Sequence, residues 1–419
     1  MRKIIITMLL FSVMSAAEPI RFETAVNIAL ENNLSIKMAE NGLQMMANNV
    51  NPGVLLPTVS LNGSSNFTDT EKAAGMAVET HRNSASVSTS YTLFSGFYVL
   101  NSYKKLKLQY GQTELETRYQ VESIITAMAQ TFYGLANADE QLQLARENLN
   151  ISGERLKRVK EREKLGRVNK VEMLAAEVDY NRDSIAVENA KLSVENSRRN
   201  LNAMLNREVN SEVSVAGDVN LLTLPVYEEL FTSAMKKNAD YRAVEMGIDL
   251  AEMDVKLAKS RYMPSLNVTG SYGHNQTNNE FDPSLGNPDK AWSVGLSLNF
   301  SLFDGFKRKI QTQNAKISMK NQQLQLEQAR LNLEKELASQ YTTYQNSKKT
   351  LAMERMNLAA SQANFDRTRE LFELGQVTSV QFREAQLNLM RAKSNIAAGE
   401  YNVKLNEIAL LQLAGMLLD

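Results

Sequence analysis

A six-residue phrase that occurs twice constrains the fold of this chain more than any other feature. It is TLFSGF at 92–97 and SLFDGF at 301–306, an offset of 209 residues. Further landmarks recur in the same order at nearly the same offset: LGRV at 165–168 with LGQV at 374–377, and Pro57 with Pro264. Recurrence at one spacing indicates an internal duplication. We therefore expect two structurally equivalent repeats, 18–217 and 218–419.

Each repeat contains a long stretch without proline, 97–164 in the first and 306–373 in the second. Proline costs about 3 kcal/mol in a helix interior, so each stretch can form one helix about 100 Å long. Apolar or aromatic residues recur every seven positions: Leu135, Leu142, Leu149 and Leu156, then Tyr344, Leu351, Leu358 and Phe365. Such a heptad repeat predicts a coiled-coil seam, although a mere spacer would share it.

A Leu-Gly pair ends each long helix and is followed by a second helical stretch. Gly166 and Gly375 suit the left-handed conformation with which helices commonly end. Because the chain must then reverse, we expect one antiparallel helical hairpin in each repeat, 97–205 and 306–415.

Two segments before each long helix alternate strictly between apolar and polar residues: 58–67 and 85–93 in the first repeat, 266–272 and 292–300 in the second. This period of two predicts half-buried strands. The polar faces are small and uncharged, and aromatic residues lie towards the ends of the apolar faces: Phe67, Tyr91, Trp292 and Phe300. We expect outward loops at 69–83 and 274–290, and strand–helix junctions at Gly96 and Gly305.

Strands of about ten residues with one apolar and one polar face are typical of a transmembrane β-barrel. A soluble sandwich sheet would alternate in the same way. Four strands cannot close around a channel, and open edges in lipid leave backbone groups unsatisfied. Two copies would give eight strands, whose interior the small serine and asparagine side chains would not fill. The pattern therefore favours three copies and a twelve-stranded barrel.

The first 17 residues have the layout of a secretory signal peptide. A positive stretch, Met1–Lys3, precedes the apolar run Ile4–Val13 and a small-residue cleavage pattern at Ser15–Ala17. The apolar run is too short to span a bilayer, and a buried N-terminal strand is the alternative. No later segment is expected to form a transmembrane helix.

In its order of helix, strand pair and long helical hairpin, repeated once, the chain resembles the TolC-like outer-membrane efflux protein family. The resemblance covers nearly all of the chain after the predicted signal peptide. It implies a mixed α and β membrane protein of a Gram-negative outer membrane: a homotrimer with a twelve-stranded β-barrel and a periplasmic α-helical barrel. It also implies an exit duct for tripartite efflux or type I secretion, without a cofactor. Its partners would be a periplasmic adaptor (membrane fusion protein), an inner-membrane pump and outer-membrane lipid.

The resemblance also assigns roles to the two hairpin tips. In the family, polar or acidic residues about six and nine positions after the tip glycine narrow the pore, which implies a periplasmic gate at Gln381, Glu384 and Glu172. Gln381 replaces an often acidic residue, which argues against a double acidic ring. The residues implied to dock the adaptor are Gly166, Arg167, Val168, Gly375, Gln376 and Val377.

The sequence contains no recognisable catalytic constellation, and the chain is not expected to be an enzyme. His274, Asp282 and Asp289 could be drawn as a metal site, but solvated loop residues are the favoured interpretation of this group. Both histidines, His81 and His274, are expected in the outer loops or at strand ends. The formal net charge is zero, so no global field favours nucleic acid. The charged stretch 154–164 is predicted to be a solvated helix face, with adaptor docking as the alternative. A trimeric outer-membrane stalk or adhesin without transport remains the alternative function.

Overall fold

A computed structural model of the chain describes residues 19–71, 77–278, 284 and 288–418. The first half contains α1 (Phe22–Asn32), α2 (Leu34–Asn49), a single 3-10 turn (Pro52–Leu55), β1 (Thr58–Glu71), β2 (Ala77–Ser95), α3 (Tyr98–Lys164) and α4 (Lys170–Met204). The second half contains α5 (Tyr227–Lys237), α6 (Ala239–Ser260), β3 (Ser265–Asn278), β4 (Asp289–Asn299), α7 (Lys307–Leu374) and α8 (Ser379–Leu413). The predicted signal peptide lies outside the described residues.

Two long helical hairpins confirm the predicted fold class. The outgoing helices α3 and α7 have 67 and 68 residues, and the returning helices α4 and α8 have 35 each. Four predicted seam residues are buried, namely Leu135, Tyr344, Leu351 and Phe365, and the other four are half-buried. None of the described helices is both long and apolar enough to cross a membrane.

By its contacts the chain divides into two compact units, each drawing on both halves of the sequence. The helical unit comprises residues 19–41, 116–241 and 330–418, and the sheet unit comprises 42–115 and 242–329. The core of the helical unit centres on Phe132, Leu135 and Leu201, which are fully buried. Burial of each such side chain is worth about 1.5–3 kcal/mol.

The sheet unit contains one antiparallel sheet with the strand order β1-β2-β3-β4. Neither β1 nor β4 has a partner strand on its outer edge among the residues that the structure describes. Large apolar side chains on one face are between 68 and 79 % exposed: Val59, Leu61, Trp292, Val294, Leu296 and Leu298. The predicted alternation is therefore present, with its apolar face uncovered in the single chain.

The predicted loops 69–83 and 274–290 are partly wrong, because β1, β2 and β3 continue into them and β4 begins within the second. Ladder hydrogen bonds join backbone groups, so strands extend through polar stretches in which the apolar alternation has stopped. His81 lies on β2, where it is buried and its Nε2 is 2.8 Å from Ser65 Oγ, and His274 lies on β3. Of the two expected places, loops or strand ends, both histidines lie in the outer parts of strands. Asp282 lies outside the described residues.

The two junctions between strand and long helix have the same backbone conformation. Gly96 and Gly305 have φ values of 61° and 67°, and Phe97 and Phe306, which follow them, both have 66°. A left-handed conformation is unfavourable for residues with a side chain, so a glycine is suited to the first position. The repeated phrase thus encodes a repeated turn.

Candidate functional site at the hairpin tips

Both hairpin tips end their outgoing helix in the same way. Gly166 and Gly375 have φ values of 70° and 77°, which confirms the predicted left-handed conformation. The closing hydrogen bonds run from Gly166 N to Glu163 O (2.8 Å), Arg167 N to Arg162 O (2.8 Å), Gly375 N to Phe372 O (3.1 Å) and Gln376 N to Leu371 O (2.8 Å). This is the Schellman pattern at both tips, and it satisfies carbonyl groups that the helix end leaves free.

Polar side chains start both returning helices. The side chain of Asn169 accepts a hydrogen bond from Glu172 N at 2.9 Å. At the second tip Thr378 and Gln381 form a reciprocal capping box, in which Gln381 Oε1 accepts from Thr378 N at 2.9 Å. The side chain of Gln381, predicted to line the gate, therefore also stabilises the first turn of α8.

The predicted gate and docking residues differ in exposure. Glu384 is exposed, and its side chain makes no ion pair or hydrogen bond with any residue that the structure describes. Glu172 is half-buried in the first turn of α4. The tip residues Gly166, Arg167, Gly375 and Gln376 are exposed, whereas Val168 and Val377 pack against an apolar cluster.

This apolar cluster joins the two hairpins of the chain near their tips. Its aromatic members come from α7 and α8, with ring centroids of Phe372 and Phe382 4.7 Å apart and those of Phe365 and Phe382 5.6 Å apart. Val159 of α3 and Ala176 of α4 are buried in the same cluster. The two hairpins therefore share one core in this region.

A buried ionic network, not predicted from the sequence, lies beside the cluster. Arg383 on α8 donates two hydrogen bonds to Asp183 on α4, at 2.6 and 2.8 Å. Arg155 on α3 pairs with Asp179 at 2.9 Å. Because both arginines are matched by carboxylates, the network carries no net charge, which buried charges require.

Uncharged side chains complete the network. Ser152 Oγ donates to Asp183 and accepts from Arg383 Nη1 at 3.0 Å, and Arg155 Nε donates to Ser379 Oγ at 2.8 Å. Burial lowers the pKa of Arg155, while its hydrogen bond to Asp179 opposes this shift. The network ties α3 and α4 of the first hairpin to α8 of the second.

The charged stretch 154–164 is not simply a solvated face. Arg155 is buried in the network, and Arg162 Nη2 donates to Phe372 O at 2.6 Å, at the end of α7. Its guanidinium carbon also lies 5.0 Å from the centroid of the Phe372 ring. Arginines of this stretch therefore join the two hairpins. The contact of Arg162 with the end of α7 is favourable, because a cation near a helix C-terminus is stabilised by the helix dipole. No local sequence signal marks Ser152 or Arg383, since each is one polar or charged residue on a helix rich in such residues.

Two consecutive segments of the chain match one family model. The family is described as "Outer membrane efflux protein", and the matched residues are 25–207 and 230–416. The chain belongs to the outer membrane efflux protein family. The double match agrees with the duplication that the repeated phrases predicted.

Individual members of the family are distant but similar over nearly their whole length. Outer membrane protein TolC of Vibrio cholerae is 22% identical over 372 residues, covering 87% of this chain and 83% of that protein. Cation efflux system protein CusC of Escherichia coli strain K12 is 21% identical over 397 residues, covering 94% and 86%. The crystal structure of the Campylobacter jejuni CmeC outer membrane channel superposes with a TM-score of 0.81 at 16% identity, covering 94% of this chain and 86% of that one.

Family membership fixes the location and the general function. This efflux protein is an outer-membrane exit duct, and its helical part lies in the periplasm. The family consists of channel proteins rather than enzymes.

Proposed function

We propose that three copies of this efflux protein assemble into one channel, with four strands of each copy in a twelve-stranded barrel. The proposal rests on the sheet. Among the described residues neither β1 nor β4 has a partner strand on its outer edge, and the apolar face of the sheet is exposed. In lipid, that face would be buried and each edge would need a partner strand. The other face carries small polar side chains, such as Ser60, Ser88 and Asn62, which suit a wet lumen.

A second exposed seam supports assembly of the helical part. Val171, Val178, Ile185 and Leu192 recur every seven residues on α4 and are between 54 and 74 % exposed. An uncovered heptad seam of branched residues is what a coiled-coil partner covers. A neighbouring copy is the partner that we propose, because the same chain must also close the sheet.

The helical hairpins of the trimer would form the periplasmic tunnel, with the tips as the surface for a periplasmic adaptor. The exposed tip residues are Leu165, Gly166, Arg167, Leu374, Gly375 and Gln376. The adaptor would couple the duct to an inner-membrane pump in tripartite efflux, or to a type I secretion system. The two repeats 18–217 and 218–419 would each supply one hairpin and one strand pair. Nothing in this arrangement requires an enzyme active site or a cofactor.

The tunnel entrance would be narrowed by Glu384, with Gln381 and Glu172 beside it. Threefold assembly would turn the exposed carboxylate of Glu384 into a ring of three, and acidic rings favour cations. Gln381 would add bulk without charge at this entrance, and the capping box fixes the position of its side chain.

Native mass measurement of the purified protein in detergent tests the assembly. We expect three chains of the processed protein. A stable monomer with an intact sheet in lipid would contradict the proposal. A trimer that does not conduct ions would favour the alternative of a stalk or adhesin.

A further inference from the structure

The strand registers inside the chain follow the offsets of the duplication. In the seam between β1 and β2, Thr58 faces Ser90, and in the seam between β3 and β4, Ser265 faces Asn299. Ser265 lies 207 residues after Thr58, and Asn299 lies 209 residues after Ser90. Each residue pair between β3 and β4 therefore corresponds to a pair between β1 and β2, with 207 subtracted from the number of the β3 residue and 209 from that of the β4 residue.

The middle seam, between β2 and β3, has no counterpart within the chain. In it Ser90 faces Thr269, and the register shifts between Thr92 and Phe94. Adding 209 to the number of Ser90 gives Asn299 of β4, and subtracting 207 from that of Thr269 gives Asn62 of β1. These strands are the two free edges of the sheet. Three strand spacings separate them, about 14 Å in a sheet, so they can meet only between copies.

We propose that β4 of one copy pairs with β1 of the next in the register of the β2·β3 seam. Asn299 then faces Asn62, and Leu302 forms a β-bulge equivalent to the one at Leu93. This inference rests on the proposed assembly and adds the register in which neighbouring copies meet.

The proposed register keeps every face consistent. On the polar face it pairs Asn299 with Asn62, Ser297 with Ser64, and Ser301 with Ser60; on the apolar face it pairs Phe300 with Leu61, Leu298 with Gly63, and Val294 with Phe67. A slip of one residue would place each of these side chains on the opposite face, so the face pattern excludes it.

The end of β4 supports the same register. β2 continues to Ser95, whereas β4 stops at Asn299, five residues before Asp304, the counterpart of Ser95. The last part of β2, residues 91–95, pairs only with β3. The equivalent partner of residues 300–304 is the start of β1 in another copy. We therefore expect 300–304 to join the strand on assembly, with Leu302, now 86 % exposed, as the bulge.

The junction after β4 is already shaped for this contact. The rings of Phe303 and Phe306 are 5.5 Å apart at 87°, almost the geometry of Phe94 and Phe97, at 5.5 Å and 83°. Beside the start of β1 lies a groove of about 600 Å³, lined in part by Val54, Leu56 and Leu93. It offers apolar surface where the proposed register brings Phe303 of the preceding copy, whose β4 pairs with this β1.

The two junction glycines differ in how closely other residues of the same chain approach them. A Cβ on Gly96 would clash with Ser260 O, whereas a Cβ on Gly305 would have no atom of the described residues within 4 Å. The residue that corresponds to Ser260 in the first repeat, 207 positions earlier, is Gly53 of the 3-10 turn. The proposed register would therefore place the 3-10 turn of the next copy against Gly305. Gly305→Ala should therefore impair assembly more than Gly166→Ala does. Gly166 has a similar φ of 70°, and a Cβ there would also meet no atom within 4 Å in the part of the chain that the structure describes, so it controls for backbone strain.

Disulfide trapping in the full-length protein tests the register directly, because the chain has no cysteine. Asn62→Cys with Asn299→Cys should give covalent dimers and trimers on oxidation, since Cα atoms of facing residues lie within the range of about 7 Å that a disulfide can bridge. Ser90→Cys with Thr269→Cys is the matched control and should cross-link within one chain.

The register is mapped by combining Asn62→Cys with Ser297→Cys, Asn299→Cys or Ser301→Cys, which lie on one face. We expect at least a fivefold higher cross-link yield for Asn299 than for the other two. A maximum at another position, or no cross-link in a conducting trimer, would overturn the register and leave the proposed function intact. Absence of a trimer by native mass would overturn both.

Discussion

The buried pair of Arg383 and Asp183 gives the most quantitative prediction for the hairpin tips. Both side chains are less than 10 % exposed, and two hydrogen bonds of 2.6 and 2.8 Å join them. The substitution Arg383→Met leaves Asp183 buried without its cation. Loss of one partner of a buried pair costs about 3–5 kcal/mol, because the remaining charge is desolvated and unpaired.

The cost should appear as local opening of the two hairpins near their tips. Amide hydrogen exchange follows the free energy of local opening, and about 1.4 kcal/mol corresponds to a tenfold change. We therefore expect amides of α4 around Asp183 to exchange roughly 140- to 3,700-fold faster in Arg383→Met, measured by mass spectrometry on the trimer. The double variant Arg383→Met with Asp183→Leu removes both charges, and its exchange should return to within about tenfold of the unmodified protein.

Arg367→Met serves as the matched control, since Arg367 pairs with Glu370 on the surface at 3.0 Å, with exposures of 71 and 64 %. An exposed pair contributes about 0–1 kcal/mol, so exchange should rise by no more than about fivefold. Equal exchange in Arg383→Met and Arg367→Met would show that the buried pair stabilises the hairpins no more than the exposed pair does, contrary to the prediction. A double variant that exchanges as fast as Arg383→Met alone would also contradict it.

Three further predictions concern the tips, the gate and pH. Gly375→Val forces a β-branched residue to a φ of 77°, so we expect loss of efflux with unchanged insertion; normal export in cells would contradict the docking role. Glu384→Ala should raise single-channel conductance and lower cation preference in planar bilayers, whereas exposed Glu161→Ala should change neither; no difference between them would place the gate elsewhere. Burial, assisted by Glu140, raises the pKa of Tyr401 to about 12. Because this value exceeds the unfolded value of about 10, its contribution to stability is complete below pH 10 and is lost as pH rises towards 12. Tyr401→Phe should flatten this alkaline loss in thermal melts, and an unchanged slope would refute it.

The helical hairpins were predictable because their signals are local. The heptad seam through Leu135 and Tyr344, and the glycines at 166 and 375, fix periodicity and helix ends without knowledge of the rest of the fold. The strand ends were less predictable, since β1 to β3 continue by backbone pairing after the apolar alternation stops.

The ionic network could not be predicted from the sequence, because its members come together only in the folded chain. Arg383 and Asp183 are 200 residues apart, and Arg155 and Ser379 are 224 apart. In the sequence each is one charged or polar residue on a helix rich in such residues.

Single-channel recording of the purified protein in planar bilayers tests whether the trimer is a conducting channel. We expect discrete conductance steps from preparations that native mass measurement shows to be trimers. Each step would correspond to one tunnel lined by the small polar faces of the strands. Trimers that insert into the bilayer and carry no current would contradict the account and identify the protein as a stalk instead.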